Sequence, residues 1–484
     1  MKTLLITATL CLIFSAHSPA GQSIGPVTYV AGPTPFISFA HVQLNDSSGI
    51  RSVEFQIAPK IGSSTRPIDV HYSRQYLKKR GYLTTNTNIV VPIFGLYAGR
   101  ANAVTITVGF RDGTSRVLRV SIQTAAYDGG TYSNPDVVLA RVPGTTLSYD
   151  FIMLKSFVDP TTPIIIDTDS EIRWIGTAGV AAQPSAFFDN AFYLTSGTSL
   201  LRTELDGTTT TIADYSSIGV TDFHHNIDPG RTGLVLDADT AAFFESENIE
   251  VDTAGNVLKI WNHADIISAV MTAGGDDPTL FVHAYPFDWF HNNATAYRPS
   301  DNTLIVSSRE NFVMAIDYDS GALKWILGDP TKHWHTFSSL RAFQLNLGLD
   351  TLPPIGQHAV SVPDDKLLLF DDGAASVYQI PTGESRTYSA PRKYAIDTVH
   401  ATATEIYHYL ADPSIYSPFC SSVYEDAPNN YLVDYTTGGP YLFTGIVGLD
   451  DQGNEAFEYR YDELLFCATA WNAYILHWED LQLK

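Results

Sequence analysis

The chain has 484 residues, of which 44% are hydrophobic and 17% are charged, and its formal charge is −23. A surface this acidic repels nucleic acid and anionic lipid, so the composition argues against both as partners. It also repels an anionic substrate, so any anion site must carry its own cationic side chains. The low charge fraction, with 34 Gly and 26 Pro, favours strands and turns over helices.

The N-terminus has the features of a cleaved export signal. Lys2 precedes an apolar stretch at residues 4–14, and Ser18-Pro19-Ala20 resembles a small-residue cleavage site. The apolar stretch is too short to span a bilayer, and no later segment is a candidate, so we expect no membrane association. The sequence therefore predicts a signal peptide over residues 1–20 and an exported protein.

Removal of the signal would leave two cysteines, Cys420 and Cys467. In an oxidising compartment two cysteines favour one disulfide over two buried thiols. A disulfide also requires a short distance between the two α-carbons, and the sequence does not give that distance. Pairing of the two residues is therefore left open at this point.

Residues 21–125 are expected to form a small β-sandwich. Short alternating runs, such as residues 52–57 and 103–108, are separated by turn-forming segments at 45–49 and 111–113. The turn-rich segment at 126–130 then marks a boundary. We therefore expect an N-terminal β-sandwich domain over residues 21–125 and a second domain over residues 126–484.

A hairpin pattern recurs six times in the second domain. Each copy has an apolar residue, acidic or polar turn residues usually followed by Gly, and alternating apolar residues. The copies lie at residues 166–174, 204–212, 251–261, 316–325, 380–383 and 449–453. Their spacing is wide enough for one four-stranded blade each, which favours a six-bladed β-propeller, with seven blades as the nearest alternative. Helical periodicity is rare, and residues 402–410 are the best short candidate, so we expect an all-β protein.

Histidine and arginine occur beside apolar strand-like runs in four segments, at residues 221–227, 288–293, 304–310 and 356–360. Each segment alone has a structural explanation. The adjacent His224 and His225 equally suit a metal site, and Arg309 beside Glu310 suits an ordinary salt bridge. Neighbouring residues on a strand face opposite sides, so only one of the two histidines can face a shared site. Together the segments place cationic donors beside Trp and Phe, which is what an aryl anion requires.

Six motifs in a fixed order extend this observation. They are Phe223-His224-His225-Asn226-Ile227, Trp289-Phe290-His291-Asn292, Val306-Ser307-Ser308-Arg309, Lys324-Trp325-Ile326-Leu327-Gly328, Gln357-His358-Ala359 and Phe370-Asp371-Asp372-Gly373. In this order the motifs resemble those of the bacterial arylsulfate sulfotransferases, including the 18-residue step from His291 to Arg309. Residues 92–97 resemble part of the small β-sandwich that precedes the propeller in that family.

The resemblance implies an axial active site that transfers a sulfuryl group from a phenolic sulfate ester to an acceptor phenol by a ping-pong mechanism. His358 would be the nucleophile that is transiently sulfurylated. Arg309, His291 and one of the adjacent histidines, with His225 favoured, would bind the sulfuryl oxygens. The other expected substrate-binding residues are His224, Trp289, Phe290 and Asn292.

The same resemblance implies no cofactor and no metal, and the export signal implies a periplasmic location. The family includes dimers built through the N-terminal region, so a homodimer is one of the oligomeric states left open. Two departures concern residues near the expected site. Asn226 stands where an acid is common in the family, and Asp372 stands where Asn is common. The paired cysteines of some family members lie close together in sequence, whereas Cys420 and Cys467 lie far apart, so the resemblance does not decide whether they pair.

Three other functions fit parts of the sequence. Residues 315–325 resemble the tryptophan-docking repeat of quinoprotein propellers, although only one good copy is present. A metal-dependent propeller hydrolase could use the histidines and Asp222 as ligands, and a non-catalytic binding propeller would need none of this chemistry. A nucleotide-dependent sulfotransferase is disfavoured because no Gly-rich phosphate loop opens a helix.

Overall fold

The computed structural model describes residues 24–85, 87–129 and 132–484. These residues form 35 strands, so the expectation of an all-β protein is confirmed. Helices are few and short, and within these residues the α-helical segments are Arg74–Lys79 (α1), His263–Ala273 (α2), Ser338–Arg341 (α3) and Gly438–Tyr441 (α4). None of these helices has the length and apolar character that crossing a membrane would require. The predicted signal peptide lies outside the described residues.

Two sheets form the N-terminal part. The first has the order β1-β2-β6-β5 and contains β1 (Ile24–Ala31), β2 (Ile37–Leu44), β5 (Leu83–Thr85) and β6 (Asn88–Phe94). The second has the order β35-β4-β3-β7-β8 and contains β3 (Ile50–Ile57), β4 (Ile68–Ser73), β7 (Ala101–Phe110), β8 (Ser115–Gln123) and β35 (Leu481–Leu483). Alternate residues of both sheets, such as Val42 and Val91 of the first and Phe55 and Ile106 of the second, share one core. The predicted β-sandwich is therefore confirmed.

Six further sheets follow, and we number them in chain order. Sheet 1 has the order β12-β11-β10-β34, with β10 (Phe151–Lys155), β11 (Ile164–Asp167), β12 (Ile172–Ile175) and β34 (Asn472–Leu476). Sheet 2 contains β13 (Ser185–Phe188), β14 (Ala191–Ser196), β15 (Ser199–Glu204) and β16 (Thr209–Asp214). Sheet 3 contains β17 (Val220–Pro229), β18 (Leu234–Thr240), β19 (Glu247–Val251) and β20 (Val257–Asn262).

The remaining three sheets follow the same antiparallel plan. Sheet 4 contains β21 (Asn292–Arg298), β22 (Thr303–Ser308), β23 (Val313–Asp317) and β24 (Leu323–Leu327). Sheet 5 contains β26 (His358–Ser361), β27 (Leu367–Asp371), β28 (Ala390–Asp397) and β29 (Thr402–His408), with β25 (Asn346–Leu347) parallel to β29. Sheet 6 contains β30 (Ser422–Glu425), β31 (Tyr431–Thr437), β32 (Phe443–Leu449) and β33 (Glu455–Asp462), with β9 (Asp136–Leu139) paired to β33.

The edge strands of successive sheets contact one another from sheet 2 to sheet 6, and the edge strand of sheet 6 contacts that of sheet 1. The contacts run in series through β13, β17, β21, β26, β30 and β34. His291 directly precedes β21 and His358 is the first residue of β26, whereas His224 and His225 lie in the middle of β17. This series of strands therefore determines where the candidate site lies.

Five of the six predicted hairpins are confirmed, since they join β11 to β12, β15 to β16, β19 to β20, β23 to β24 and β32 to β33. The hairpin predicted at residues 380–383 is wrong, because this segment lies in a loop between β27 and β28. Ile380 there is 79% exposed and does not pack on a sheet. Sheet 5 turns instead at residues 398–401, where Asp397 accepts hydrogen bonds from the backbone of Val399 and His400.

The helical assignment of residues 402–410 is also wrong. This segment contains β29, in which the burial alternates and Thr404 pairs with Ala395 of β28. Its β-branched and aromatic residues favour a strand, and tertiary pairing decides the matter. The longest of the described helices, α2, was missed although Asn262 caps it with a side-chain oxygen that accepts from the backbone of Asp265.

Strands near the C-terminus complete sheets that begin near the N-terminus. β34 pairs antiparallel with β10, and β35 pairs parallel with β4. Between them the ring of Trp478 contacts the rings of Phe94 and Phe151, at centroid distances of 5.4 and 5.9 Å. The N-terminal sandwich and sheet 1 thus share one hydrophobic core, to which Trp478 belongs.

Candidate active site

A cavity of about 410 Å³ contains the four basic residues that the sequence assigned to catalysis, His225, His291, Arg309 and His358. Its volume lies in the range of small-molecule sites. The ring centroid of His225 lies 4.6 Å from that of His291 and 6.2 Å from that of His358. The structure therefore brings side chains from sheets 3, 4 and 5 into one pocket.

The backbone that presents these side chains is irregular. His225 and His291 have φ values of 51° and 56°, and Ala359, next to His358, has a φ of 53°. The pairing register of β17 also shifts between His224 and Ile227. Positive φ is uncommon for residues other than glycine, and such conformations cluster where a site constrains the chain. Because of these irregularities, the histidines leave the regular alternation of their strands.

His358 has a defined tautomer in this arrangement. Its Nδ1 lies 3.1 Å from the carbonyl oxygen of Gly356 and 2.8 Å from a carboxyl oxygen of Asp372. A backbone carbonyl only accepts hydrogen bonds, so Nδ1 must carry the proton and Nε2 keeps a lone pair. Burial, followed by the positive charges of His291 and Arg309, lowers the pKa of His358 well below its ordinary value. At neutral pH His358 is therefore a neutral imidazole whose free nitrogen is Nε2.

Asp372 is one of the two departures noted in the sequence. Burial raises the pKa of its carboxyl group well above the usual range, although the nearby charge of Arg309 opposes this effect. One of its oxygens accepts from Nδ1 of His358, as an amide oxygen of Asn would. The other departure, Asn226, does not line the pocket, and its side-chain oxygen accepts from the ammonium group of Lys155 at 3.1 Å.

His291 is held as a cation by two carboxylates. Its Nδ1 contacts a carboxyl oxygen of Asp288 and lies 2.6 Å from Oε2 of Glu245. Burial alone would lower the pKa of His291, but these two carboxylates raise it well above its ordinary value. Burial in turn raises the pKa of Glu245 to about 7. His291 can therefore donate a hydrogen bond, or a proton, from its ring nitrogens at neutral pH.

The adjacent histidines differ in position, and only His225 lines the pocket. The two Nδ1 atoms lie 2.8 Å apart, so one of them donates and the other accepts. Burial lowers the pKa of His224 to about 3 and that of His225 well below its ordinary value, with the charge of His291 as the next cause. Both rings are therefore neutral, and the ring of His224 supports that of His225 from behind.

Arg309 carries the fixed positive charge of the pocket. Its Nη1 lies 2.6 Å from Oε1 of Glu310, so the salt bridge considered from the sequence is present. The other carboxyl oxygen of Glu310 accepts from the side chain of Ser376 and from the backbone of Val377 and Tyr378. Two buried donors of Arg309, Nε and Nη2, have no hydrogen-bond partner among the described residues. The guanidinium is thus oriented by Glu310 and keeps two donors for an anion.

Aromatic side chains form much of the remaining wall, namely Phe157, Tyr378, Phe419, Phe466 and Trp471. The ring centroid of Trp471 lies 4.7 Å from that of His225 and 6.3 Å from that of His358. Cys420 and Cys467, whose pairing the sequence does not decide, form a disulfide with a Cα–Cα distance of 6.3 Å. The disulfide therefore joins the chain next to Phe419 to the chain next to Phe466.

The four residues predicted to bind substrate through the resemblance lie behind this wall. Trp289 and Phe290 are fully buried in a core cluster, where Phe290 stacks on His263 at 5.0 Å. Asn292 donates to a carboxyl oxygen of Asp237 at 3.3 Å, and His224 lies behind His225. Each of the four supports a neighbour of the pocket, and direct contact with a substrate stays a prediction for all of them.

Sequence reasoning missed several residues of the pocket. Asp288 was visible three residues before His291, a short distance that permits a local ion pair. Glu245 lies in the loop before β19 and Trp471 directly precedes β34, and the linear sequence gives no signal that either residue reaches the pocket. The aromatic pair Phe419 and Phe466 could have been found from the cysteines, since each phenylalanine directly precedes one of them.

Among the residues that the structure describes, three sets of side chains have the spacing of a metal site, with the ligand atoms of each set within 4.8 Å of one another. The sets are His225-His291-His358, His224-His225-Glu245 and Glu245-Asp288-His291. Histidine nitrogens and carboxylate oxygens are ligands for Zn²⁺ and related ions. The protonation of His291 opposes such binding, because a metal ligand must first lose its proton. Asp222, considered from the sequence as a metal ligand, is exposed and belongs to none of these sets.

Comparison with known proteins gives two family matches. The family described as Arylsulfotransferase (ASST) matches residues 138–459, and the family described as Arylsulfotransferase Ig-like domain matches residues 40–127. The arylsulfate sulfotransferase AssT of Escherichia coli O6:H1 (strain CFT073) is 26% identical over 240 residues. That match covers 40% of this chain and 40% of the relative.

Solved structures resemble the chain only distantly. The designed protein Ika8 is 8% identical, with a TM-score of 0.31, and the match covers 86% of this chain and 98% of that one. Sqt1 of Saccharomyces cerevisiae is 7% identical, with a TM-score of 0.31, and the match covers 90% of this chain and 95% of that one. A Bacteroides thetaiotaomicron protein of unknown function is 10% identical, with coverages of 90% and 86% and a TM-score of 0.29. These scores are too low to carry an argument. The family match spans well over half of the sequence, and this chain therefore belongs to the arylsulfotransferase family.

Proposed function

We propose that the protein is an arylsulfate sulfotransferase that moves a sulfuryl group from a phenolic sulfate ester to an acceptor phenol. One observation carries the proposal: two unpartnered donors of the buried Arg309 share an aromatic pocket with the free Nε2 of His358. An aryl sulfate needs cationic donors for its anionic group and an apolar wall for its ring. The family of the chain and the neutral state of His358 support the same reaction.

In the first step, Nε2 of His358 attacks sulfur, and the bond between sulfur and the aryl oxygen breaks. The electron pair leaves with the phenolate oxygen, which takes a proton from His291. The second step reverses these roles. The acceptor phenol gives its proton to His291, its oxygen attacks sulfur, and the sulfur–nitrogen bond breaks to restore neutral His358. The sulfohistidine between the steps makes the kinetics ping-pong.

Charge stabilisation in both steps comes from fixed donors. Sulfuryl transfer passes through a loose transition state like that of phosphoryl transfer, so positioning and electrostatics supply most of the rate. Arg309 holds two sulfuryl oxygens, and His291 and His225 donate to the remaining one. The carboxyl group of Asp372 accepts from Nδ1 of His358 and stabilises the positive charge that the sulfurylated ring acquires.

The rest of the proposal concerns the fold and the setting. Sheets 1 to 6, within residues 126–484, would form a six-bladed β-propeller around the pocket. The serial contacts from β13 to β34 support this arrangement. Export through the predicted signal peptide would place the protein in the periplasm, where the disulfide is stable. On the basis of the family resemblance we also propose that the protein forms a homodimer.

The pH dependence of the rate follows from the two histidines. Turnover needs neutral His358, so the rate falls at acid pH only near its lowered pKa, well below 6.5. Turnover also needs protonated His291, so the rate falls at alkaline pH only near its raised pKa. In Glu245→Gln a negative charge beside His291 is lost, so the pKa of His291 should fall. We therefore expect the alkaline limb of the kcat/KM profile to shift to lower pH by roughly one unit. The measurement is a pH–rate profile with a chromogenic aryl sulfate.

Glu384→Gln provides a matched control for this variant, because Glu384 is exposed and does not line the pocket. Its profile should coincide with that of the native protein. An alkaline limb that stays in place in Glu245→Gln would contradict the assignment of His291 as the acid.

The activity itself is tested by incubating the protein with a chromogenic aryl sulfate, with and without added phenol. Release of the chromophore that depends on the acceptor, with parallel double-reciprocal plots and no nucleotide, is the expected result. Loss of activity on chelation, with recovery on adding Zn²⁺, would instead favour the metal-dependent hydrolase. A bound quinone with redox activity would favour the quinoprotein, although residues 315–325 form an ordinary hairpin between β23 and β24.

A further inference from the structure

Three aromatic rings form a half-exposed cluster at the mouth of the pocket, and we call Phe419, Tyr441 and Phe466 the aromatic platform. The ring centroids of Phe419 and Phe466 lie 4.7 Å apart, and those of Tyr441 and Phe466 lie 5.6 Å apart. Phe466 is 50% exposed and Tyr441 is 44% exposed. Exposed apolar patches of this kind usually have a binding role.

The platform is continuous with the anion-binding part of the pocket. The guanidinium of Arg309 lies 4.4 Å from the ring centroid of Phe419. Phe419 and Phe466 line the pocket, whereas Tyr441 lies outside its lining. A ring attached to a sulfuryl group on Arg309 would therefore contact Phe419 first. Any second ring would extend outwards over Phe466 and Tyr441.

The covalent structure keeps the platform together. Phe419 precedes Cys420 and Phe466 precedes Cys467, so the disulfide ties the two segments that carry these rings. Exposed leucines continue the apolar surface, with Leu442 and Leu465 exposed by 68% and 63%. A preformed apolar surface loses little entropy when a rigid aromatic ligand binds to it.

The charges around the pocket select against acidic ligands. Glu245, Asp288 and Glu310 line it, and Arg309 is the single lysine or arginine among the described lining residues. These acidic groups are already paired with Arg309 and with the His291 cation, so once a sulfuryl group occupies Arg309 the described lining offers no further lysine or arginine for a carboxylate. The surface therefore suits ligands whose extension is apolar and neutral.

From these observations we infer that the aromatic platform is a subsite for the second ring of neutral, multi-ring phenols and their sulfate esters. This inference rests on the proposed function and names its substrate class. The ring of a single-ring phenol would contact Phe419 but would not extend over Phe466 and Tyr441. Two-ring phenols would gain affinity from burying their outer ring against Phe466 and Tyr441, and a carboxylate on that ring would remove the gain.

The experiment measures kcat/KM for three acceptors with a fixed chromogenic aryl sulfate donor: phenol, 4-phenylphenol and 4-phenylphenol carrying a carboxylate on its outer ring. In the native protein 4-phenylphenol should be preferred over the other two. Phe466→Ala should lower kcat/KM for 4-phenylphenol about tenfold, because burial of an aromatic side chain contributes on this scale. The loss for phenol in the same variant should be clearly smaller than the loss for 4-phenylphenol, because the single ring of phenol contacts Phe419 first.

Two further variants distinguish the effect of losing the Phe466 ring from general effects of a substitution. Phe466→Tyr keeps the ring and should retain the preference for 4-phenylphenol. Leu349→Ala removes an apolar side chain that is 91% exposed and lies outside the pocket lining, so it should match the native protein. Equal losses for phenol and 4-phenylphenol in Phe466→Ala would overturn the subsite. A concentration-dependent dimer that Phe466→Ala abolishes, with unchanged kinetics, would also overturn it and assign the platform to self-association.

The failure of the proposed function has a different signature. If no aryl sulfate is turned over, the proposed reaction is contradicted, and calorimetry with biphenyl-4-yl sulfate and phenyl sulfate then tests the subsite directly. Tighter binding of the two-ring ester that is lost in Phe466→Ala would support the platform. Equal affinities of the two esters would overturn it.

Discussion

Replacing His358 by alanine is expected to reduce sulfuryl transfer by about 10⁴-fold or more, as removal of a catalytic nucleophile does in other enzymes. His358 supplies the free Nε2 that becomes bonded to sulfur, and Asp372 and Gly356 fix its tautomer. Of the other histidines that line the pocket, His291 is protonated and has no free lone pair, and the proposed donation by His225 to a sulfuryl oxygen requires the proton on its Nε2. Initial rates with a chromogenic aryl sulfate measure the loss.

The covalent intermediate gives an independent readout. Brief incubation of the native protein with an aryl sulfate should add the mass of one sulfuryl group to the peptide that contains His358. His358→Asn should carry no such label. His408→Ala is a suitable control, because this histidine is exposed and pairs only with Glu405 among the described residues. An active His358→Ala variant, or a label on another residue, would reject His358 as the nucleophile.

The second large effect is expected for Arg309→Lys, with a loss of roughly 10²- to 10³-fold in kcat, the scale seen when one oxyanion donor is removed. The charge is retained, but the two free donors Nε and Nη2 are replaced by a single ammonium group. Lysine also cannot keep the bidentate geometry while it pairs with Glu310. The variant therefore tests geometry rather than charge.

Arg298→Lys is the matched control for this substitution. Arg298 is buried and pairs with Asp301, but it does not line the pocket. It should keep native activity, and thermal denaturation should show whether either variant is destabilised. If Arg309→Lys were as active as Arg298→Lys, Arg309 would be no more than the partner of Glu310.

The sequence predicted the general fold and the central residues of the pocket. Alternating strands and turn residues are local properties, so the sandwich and five hairpins could be read from neighbouring residues. The segment at 380–383 has the turn residues of a hairpin, yet its loop packs towards Glu310, where Val377 and Tyr378 donate to the carboxylate. That contact joins distant parts of the chain, and local propensity does not report it.

The candidate site also contains contacts between distant residues that local sequence patterns do not predict. His225, His291, Arg309 and His358 were found because motif order along the chain identified them. Glu245 and Trp471 were not found, because only the folded chain brings them beside these residues. The choice between His224 and His225 depends on a register shift in β17, and strict strand alternation does not predict such a shift.

The pairing of β34 with β10 and of β35 with β4 has a consequence for how the chain folds. The second sheet of the sandwich and sheet 1 each lack an edge strand until residues 472–483 have been made. Until then β10 and β4 keep open edges, and the early sheets lack Trp478 from their shared core. Completion of the sandwich and of sheet 1 therefore depends on contacts between residues that are far apart in sequence, which are slow to form. Deletion of these last strands would be far more damaging than their length suggests.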